Sequence, residues 1–276
     1  MQLQPRYNGD PVLVIEGVGD PSAALLRQRR RLLDALEAMT DEQWGAQSRC
    51  DEWSTQGVIT HLISTDQFWG ISMRAGLKGE PTQFLGTFDP VKSPAEMVRQ
   101  RAAMTPSDVL AQFRESVASF AAVLDCVADD QWEAVVAEAP PGHIALGATA
   151  LHALWDGWIH ERDILLPLGR TPVEDETEME LILRYAAGLG PAFNAASGGG
   201  KVGTLGVEAS DPSVSFVVEA DTTVRVRDGR VDGPRLQGRT VDLIEALSYR
   251  APLHHDLGAD DAWLVTGLGT VFDVQP

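Results

Sequence analysis

The sequence predicts an α+β fold, with a helical bundle first and a smaller α+β domain after it. Two observations lead to this fold class. Up to about residue 171, apolar residues recur every three or four positions, as on the buried face of a helix. Beyond that point, short runs rich in Val alternate with turns rich in Gly and Asp, which is typical of strands. We therefore assign residues 1–171 to the bundle and residues 172–276 to the second domain.

The bundle is expected to contain four long helices, because caps and helix-stopping residues divide its apolar pattern into four parts. An extended arm or short strand precedes them in residues 1–20. The stretch between the second and third helices is rich in Pro and Gly, which predicts a loop. The fourth helix ends near Leu166, before Pro167. The predicted helices begin at Ser22, Ser54, Ser107 and about Gly147, and Thr40 caps a short turn.

A weak internal repeat indicates how these helices pair. The segment Leu36–Trp44 ends in Asp-Glu-Gln-Trp, and Leu124–Trp132 ends in Asp-Asp-Gln-Trp. In both copies a loop follows, and then a helix that carries histidine. Two such helix pairs can form a four-helix bundle with pseudo-twofold symmetry. The helix with His61 would then face the helix with Asp156 and His160.

The second domain is expected to combine strands with helices. An acidic connector leads into a helix over Leu181–Phe193, and Thr240 caps a further helix. The last segment, Trp263–Val274, fits either a helix or a strand. The predicted strands are Gly203–Glu208, Val214–Glu219 and Val224–Arg227.

A candidate metal site lies in the fourth helix. Asp156 and His160 are four residues apart and so share one helix face. Their neighbours are apolar, and a buried charge is costly unless it is paired or bound to a metal. His61, also in an apolar helix, is the candidate third ligand. Asp, His and His suit Zn²⁺, and they also accept Ni²⁺, Fe²⁺ or Mn²⁺. The ordinary alternatives are a surface hydrogen bond for the pair and a core position for His61.

Other polar residues of the same helix receive structural interpretations. His152 shares the face of Asp156 and His160, so it is a fourth ligand, a partner of a ligand or a hydrogen-bonded core residue. Arg162 and Asp163 are each interpreted as forming ion pairs at the helix end. No pairing of Cys with His is evident from the spacing.

Composition excludes several classes of function. The 276 residues carry 40 acidic and 22 basic side chains, a net charge of -18 that disfavours nucleic-acid binding. No apolar run approaches the ~20 residues of a membrane helix. The two cysteines, Cys50 and Cys126, are expected to be free thiols in a reducing compartment. We expect a cytoplasmic protein, monomeric or homodimeric, that contacts neither nucleic acid nor membrane.

Four segments together have a recognisable pattern: Asp41–Trp44, Ser48–Ser54, Val58–Leu62 and Trp158–Asp163. They resemble the mycothiol-dependent maleylpyruvate isomerase family, which belongs to the DinB-like four-helix-bundle metalloproteins. The resemblance covers roughly residues 22–170 and implies a DinB-like bundle. It continues more loosely from Leu236 to Leu247, where it implies a sterol-carrier-like C-terminal domain.

The resemblance also implies a ligand set and a cosubstrate. A divalent metal, usually zinc, would be held by His61, Asp156 and His160, and the cosubstrate would be mycothiol or a similar thiol. Asp156 stands where the isomerase pattern has Glu, so the metal would lie nearer that helix or bind the carboxylate differently. Arginines of the C-terminal domain matter in the isomerase, and the candidates are Arg239 and Arg250.

These expectations describe a metal-dependent thiol S-transferase or isomerase. A thiol entering an open position on the metal becomes a thiolate, which attacks a small electrophilic substrate. Two alternatives stay open, namely a non-catalytic metal-binding or regulatory module and a metal-dependent hydrolase of the same fold.

Overall fold

The computed structural model describes residues 3–272. Its helices are α1 (Ser22–Glu37), α2 (Asp41–Gly45), α3 (Thr55–Leu77), α4 (Lys92–Gln100), α5 (Pro106–Leu124), α6 (Gln131–Ala134), α7 (Leu146–Leu165), α8 (Glu176–Ala196), α9 (Thr240–Leu247) and α10 (Trp263–Phe272). Its strands are β1 (Leu13–Ile15), β2 (Val136–Ala139), β3 (Gly142–Ala145), β4 (Gly203–Ser210), β5 (Val214–Ala220), β6 (Val224–Asp228) and β7 (Arg235–Arg239).

The four long helices α1, α3, α5 and α7 pack together as the predicted bundle. Their apolar faces meet in a core that contains Leu32, Ile59, Phe113 and Ile164. The predicted cap Ser54 accepts a hydrogen bond from the backbone N–H of Gly57 and so begins α3. Thr40 and Gln43 form a capping box at the start of α2. Local sequence signals thus set the start of these helices.

The predicted loop between α3 and α5 contains a helix, α4, which is a correction to the sequence analysis. Pro94 lies in its first turn, where a missing N–H costs no helical hydrogen bond. Asp89 Oδ1 accepts hydrogen bonds from the N–H groups of Val91 and Lys92 and satisfies that end of the helix. The helix after it, α5, begins at Pro106 and is capped by Thr105, slightly before the predicted Ser107.

An antiparallel hairpin of β2 and β3, absent from the sequence analysis, packs against α3. The Ser72 hydroxyl donates to the carbonyl of Glu138 at 2.9 Å and accepts from the N–H of the same residue at 2.7 Å. A Cβ at Gly76 would lie 2.2 Å from the carbonyl oxygen of Val136, so the close approach requires glycine. The hairpin therefore fixes the C-terminal half of α3.

The C-terminal sheet has the strand order β1-β6-β5-β4-β7. The three predicted strands correspond to β4, β5 and β6, and α9 begins at the predicted Thr240. Thr240 is the first residue of that helix and not its cap, which is Arg239, and the Thr240 hydroxyl donates to the carbonyl of Pro212 at 2.8 Å. The exposed edge strand β7 has no apolar alternation and was not predicted. The last segment is the helix α10 as far as Phe272, and the end of the predicted element lies outside the described residues.

The N-terminal arm belongs to this sheet, because β1 pairs in parallel with β6. A large apolar core is shared by α7, α8 and the sheet and includes Leu154, Tyr185 and Val226. The α+β fold class, with a helical bundle followed by a smaller α+β region, is confirmed. The domain boundary between residues 171 and 172 stays a prediction. Within residues 3–272, none of the helices combines the length and apolar character needed to cross a membrane.

Candidate metal centre

A buried polar contact holds α1, α3 and α7 together beside the predicted site. The guanidinium of Arg29 on α1 pairs with Asp66 on α3 at 2.8 Å and donates to the carbonyl of Ala153 on α7 at 2.9 Å. A Cβ at Gly157 would lie 1.5 Å from Arg29 Nη1. The glycine next to Asp156 therefore leaves the space that this arginine occupies.

The structure brings His61, Asp156 and His160 together. Asp156 Oδ1 lies 3.6 Å from His61 Nε2 and 3.4 Å from His160 Nε2. One donor atom from each of the three residues lies within 4.8 Å of the other two. The predicted juxtaposition of α3 and α7 therefore places two imidazole nitrogens around one carboxylate oxygen.

These separations fit ligands around a metal ion better than direct hydrogen bonds. An N–H···O hydrogen bond normally measures about 2.7–3.2 Å, and both distances at Asp156 Oδ1 are longer. Ligand atoms bound at about 2.0–2.1 Å in a tetrahedral zinc site lie about 3.3–3.4 Å apart. The residues present thus fit a divalent ion in donor chemistry, and both distances at Asp156 Oδ1 are close to those of such a site.

The charges of the cluster favour an ionised Asp156. Burial alone would raise the pKa of Asp156, but the charge of His61 and the contacts with both imidazoles outweigh it and hold that pKa well below its ordinary value. Burial likewise opposes the charged form of His160, yet Asp156, Asp163 and Cys50 raise the pKa of His160 well above its usual range. The protein therefore presents an anionic oxygen to whatever cation lies between the imidazoles.

The centre is mostly buried and reaches solvent over a small part of its surface. The side chains of His61, Asp156 and His160 are 13%, 11% and 8% exposed. The indole of Trp53 lies 5.1 Å from the His61 ring, centroid to centroid, and forms one wall. The hydroxyl of Thr65 donates to Asp156 Oδ2 at 3.1 Å. Asp156 therefore has one oxygen held by Thr65 and the other directed to the histidines.

The opposite side of the His160 ring contacts a second carboxylate. His160 Nδ1 lies 3.0 Å from Oδ2 of the fully buried Asp163. Arg49 and Arg250 donate to this carboxylate at 2.9 Å. Burial would raise the pKa of Asp163, but hydrogen bonds from His160 and Arg250 hold it far below its usual value. Asp163 forms the predicted ion pairs, and it also contacts a residue of the candidate metal cluster.

Cys50 lies at the same place, although the spacing gave no sign of a Cys–His pairing. Its Sγ lies 3.3 Å from Asp163 Oδ2 and 3.8 Å from His160 Nδ1. With His160 and Asp163 it forms a second group of potential ligand atoms. Sequence reasoning also missed Arg49. Because more than 100 residues separate both side chains from Asp163, no local pattern connects them with it.

The remaining candidate residues occupy different positions. The His152 ring packs 4.4 Å from that of Trp69, its Nδ1 is hydrogen-bonded to the hydroxyl of Tyr185, and burial lowers its pKa to about 4. These contacts support the interpretation of His152 as a hydrogen-bonded core residue. Of the two candidate arginines, Arg250 reaches Asp163. Arg239 is half exposed and lies near acidic surface residues instead.

The sequence matches the profile of one known family. The profile of the family described as the mycothiol maleylpyruvate isomerase N-terminal domain matches residues 25–165, just over half of the chain. The chain belongs to this family. The matched segment contains all three residues of the candidate metal cluster. The suspected family is therefore confirmed, while the assignment of His61, Asp156 and His160 as ligands stays a prediction.

Solved structures show the same fold in this mycothiol maleylpyruvate isomerase family. The crystal structure of the mycothiol-dependent maleylpyruvate isomerase matches with a TM-score of 0.58 at 15% identity, over 83% of this chain and 88% of that chain. A variant of that enzyme with a histidine replaced by alanine matches with the same TM-score and coverage at 14% identity. At these identities the likeness shows the fold alone. No curated protein matches the sequence.

Proposed function

We propose that the protein is a metal-dependent enzyme that uses mycothiol or a similar low-molecular-weight thiol, as a transferase or an isomerase acting on a small electrophilic substrate. The observation that carries the proposal is the partly open cluster of two imidazoles and one carboxylate in the segment matched by the family. Three protein ligands are the usual number in catalytic zinc sites, which keep a further position for water or substrate.

The residues that would hold the metal are His61, Asp156 and His160. Zinc suits two nitrogens and one carboxylate oxygen, and Ni²⁺, Fe²⁺ or Mn²⁺ accept the same donors. When bound, a divalent ion supplies a field that lowers the pKa of a coordinated thiol and polarises a carbonyl.

The protein's own residues prepare this position. Thr65 holds Oδ2 of Asp156, so Oδ1 is the oxygen offered to the cation. This arrangement favours monodentate binding by the aspartate. Trp53 shields one side of His61 with an apolar surface and excludes water from it. An electrophile would therefore approach along the exposed side of the cluster, where Asp156 and His61 keep some solvent access.

The first experiment measures metal content. Protein purified at neutral pH without chelator is expected to contain about one divalent metal per chain, as determined by plasma mass spectrometry. H61A and H160A are expected to lose it, because each removes one of three ligands. The matched control is H254A, since His254 is exposed in a loop outside the cluster. Wild-type protein without metal, or ligand variants that retain it fully, would refute the metal centre.

The second experiment identifies the chemistry. Metal-loaded protein is incubated with small electrophiles and a panel of thiols that includes mycothiol, and the products are analysed by mass spectrometry. A thiol adduct indicates transfer, whereas a product of unchanged mass that forms only with thiol indicates isomerisation. Turnover without thiol, with addition of water, would indicate a hydrolase. Absence of turnover from a fully metal-loaded protein would support the non-catalytic module.

A further inference from the structure

We propose that Asp163 is the positioning residue of the metal centre: its carboxylate holds the Nδ1–H of His160, so that Nε2 of the same ring is directed to Asp156 and His61. The inference rests on the proposed function, because it assigns a task to a residue behind a proposed ligand. Histidines that bind metals commonly donate their other ring N–H to a carboxylate, which fixes both the tautomer and the ring orientation.

The His160 ring contacts one carboxylate on each nitrogen. Nδ1 lies 3.0 Å from Asp163 Oδ2, within hydrogen-bond range, and Nε2 lies 3.4 Å from Asp156 Oδ1. Asp163 is three residues after His160 on α7, so both side chains are on the same side of the helix. Its side chain is 0% exposed, so no water competes for the imidazole from that direction.

The carboxylate of Asp163 is held from two other parts of the chain. Arg49, in the segment before α3, donates through Nε to Oδ1 at 2.9 Å, and its backbone N–H donates to the carbonyl of Asp163 at 3.0 Å. Arg250, after α9, donates to both oxygens, at 2.9 Å through Nε and 2.9 Å through Nη2. Since Asp163 is fixed by these partners, it in turn fixes the direction of the His160 ring.

The contacts require a carboxylate at this position. The two guanidinium groups and the thiol of Cys50 all donate to it. A carboxylate between donors can only accept, so the hydrogen on Nδ1 belongs to the imidazole. An amide of the same shape would present an NH₂ group to at least one of these donors and leave a buried N–H unpaired. Asp163→Asn therefore tests the charge and hydrogen bonding of the residue at almost constant volume.

A purely structural role is the competing explanation, because Asp163 also joins α7 to two distant segments. Glu245 on α9 offers the matched control. It accepts hydrogen bonds from Arg49 at 2.8 and 3.2 Å and pairs with Arg162 on α7. It belongs to the same ion-pair network, but these contacts are with arginines and not with His160. Glu245→Gln disturbs the network without touching the proposed hydrogen bond.

The experiment compares wild type, D163N and E245Q by zinc affinity, in competition with a chromophoric chelator, and by the visible spectrum of the Co²⁺-loaded proteins. D163N is expected to weaken zinc binding about 10–100-fold and to change the ligand-field bands of Co²⁺. E245Q is expected to retain the wild-type spectrum and an affinity within about threefold. Equal behaviour of the two variants, or wild-type affinity and spectrum in D163N, would overturn the inference.

A second measurement uses the wild-type protein and tests the role of Asp163 even if D163N does not fold. Nitrogen-15 NMR of the zinc-loaded wild-type protein, assigned at His160, is expected to show a zinc-bound Nε2 and a protonated Nδ1. A zinc-bound or deprotonated Nδ1 would overturn the role of Asp163. Wild-type protein that binds no zinc overturns the metal centre itself, which separates the failure of the proposed function from that of this inference.

Discussion

Replacement of Gly157 by alanine tests how the bundle brings the candidate ligands together. Gly157 follows Asp156 on α7, and a Cβ there would lie 1.5 Å from Nη1 and 2.6 Å from Cζ of Arg29. The guanidinium cannot remain in place. It would have to leave Asp66, which it contacts at 2.8 Å and whose side chain is 0% exposed.

The size of the destabilisation follows from the carboxylate of Asp66, which would remain buried without its partner. Breaking a buried ion pair so that one charge remains unpaired costs about 3–5 kcal/mol. An alanine that fits a helix gains about 0.4–1 kcal/mol relative to glycine. The expected net loss in the free energy of unfolding for G157A is therefore ~2–4.6 kcal/mol. Because Asp156 is the adjacent residue, zinc affinity should fall as well.

Urea unfolding of the metal-free proteins measures the first effect, and chelator competition measures the second. The matched control is Gly70→Ala, since Gly70 is also buried in a long helix and its Cβ would meet neighbours only at 3.9 Å. G70A is expected to be neutral or slightly stabilising. If G157A were no less stable than G70A, the contacts of Arg29 with Asp66 and Ala153 would not hold α1, α3 and α7 together.

Two further predictions concern the metal centre directly. Thr65→Val should lower zinc affinity about tenfold, because the Asp156 carboxylate loses the hydrogen bond to Oδ2 and becomes free to rotate. Thr65→Ser should keep the wild-type affinity. Equal affinities of the two variants would contradict the role of the hydroxyl. Free zinc at about 100 times its Kd should stabilise the wild-type protein by ~2.7 kcal/mol over the chelator-treated form. The same comparison with H160A should show almost no difference in unfolding free energy, and a full response of that variant would place the ion elsewhere.

The fold could be predicted where local chemistry sets it. Ser54 begins α3 through a side-chain cap, and α7 ends at Leu165, just before the proline that predicted its end. The hairpin of β2 and β3 and the edge strand β7 were missed, because their strands are too short or too polar to show an apolar alternation. Those elements are held mainly by partners that are distant in the chain, such as Ser72 for the hairpin.

The residues of the candidate site likewise fall into those indicated by local sequence patterns and those brought in by distant segments. Asp156 and His160 share a helix face, and His61 stands out as a polar residue within an apolar stripe, so their meeting could be predicted from periodicity and burial. Arg49 and Cys50 could not, since only the packing of segments far apart in the sequence brings them to α7. Arg250 was a candidate through the family resemblance alone, and its contact with Asp163 also depends on distant packing. Thr65 had an available signal, because it follows His61 by four residues and so shares its helix face.

The resemblance sets Asp156 against a glutamate of the isomerase pattern, and the packing explains how the shorter aspartate lies near both histidines. A glutamate there would carry its oxygens about one C–C bond, ~1.5 Å, further from the backbone. The shorter residue is followed by Gly157, whose carbonyl accepts a hydrogen bond from Gln28 Nε2 at 3.0 Å and whose missing side chain admits Arg29. Because Arg29 contacts both Asp66 on α3 and Ala153 on α7, α1 holds α3 and α7 together beside the site. Residues 156 and 157 thus act together: the short carboxylate and the space for Arg29 set where the proposed metal would lie.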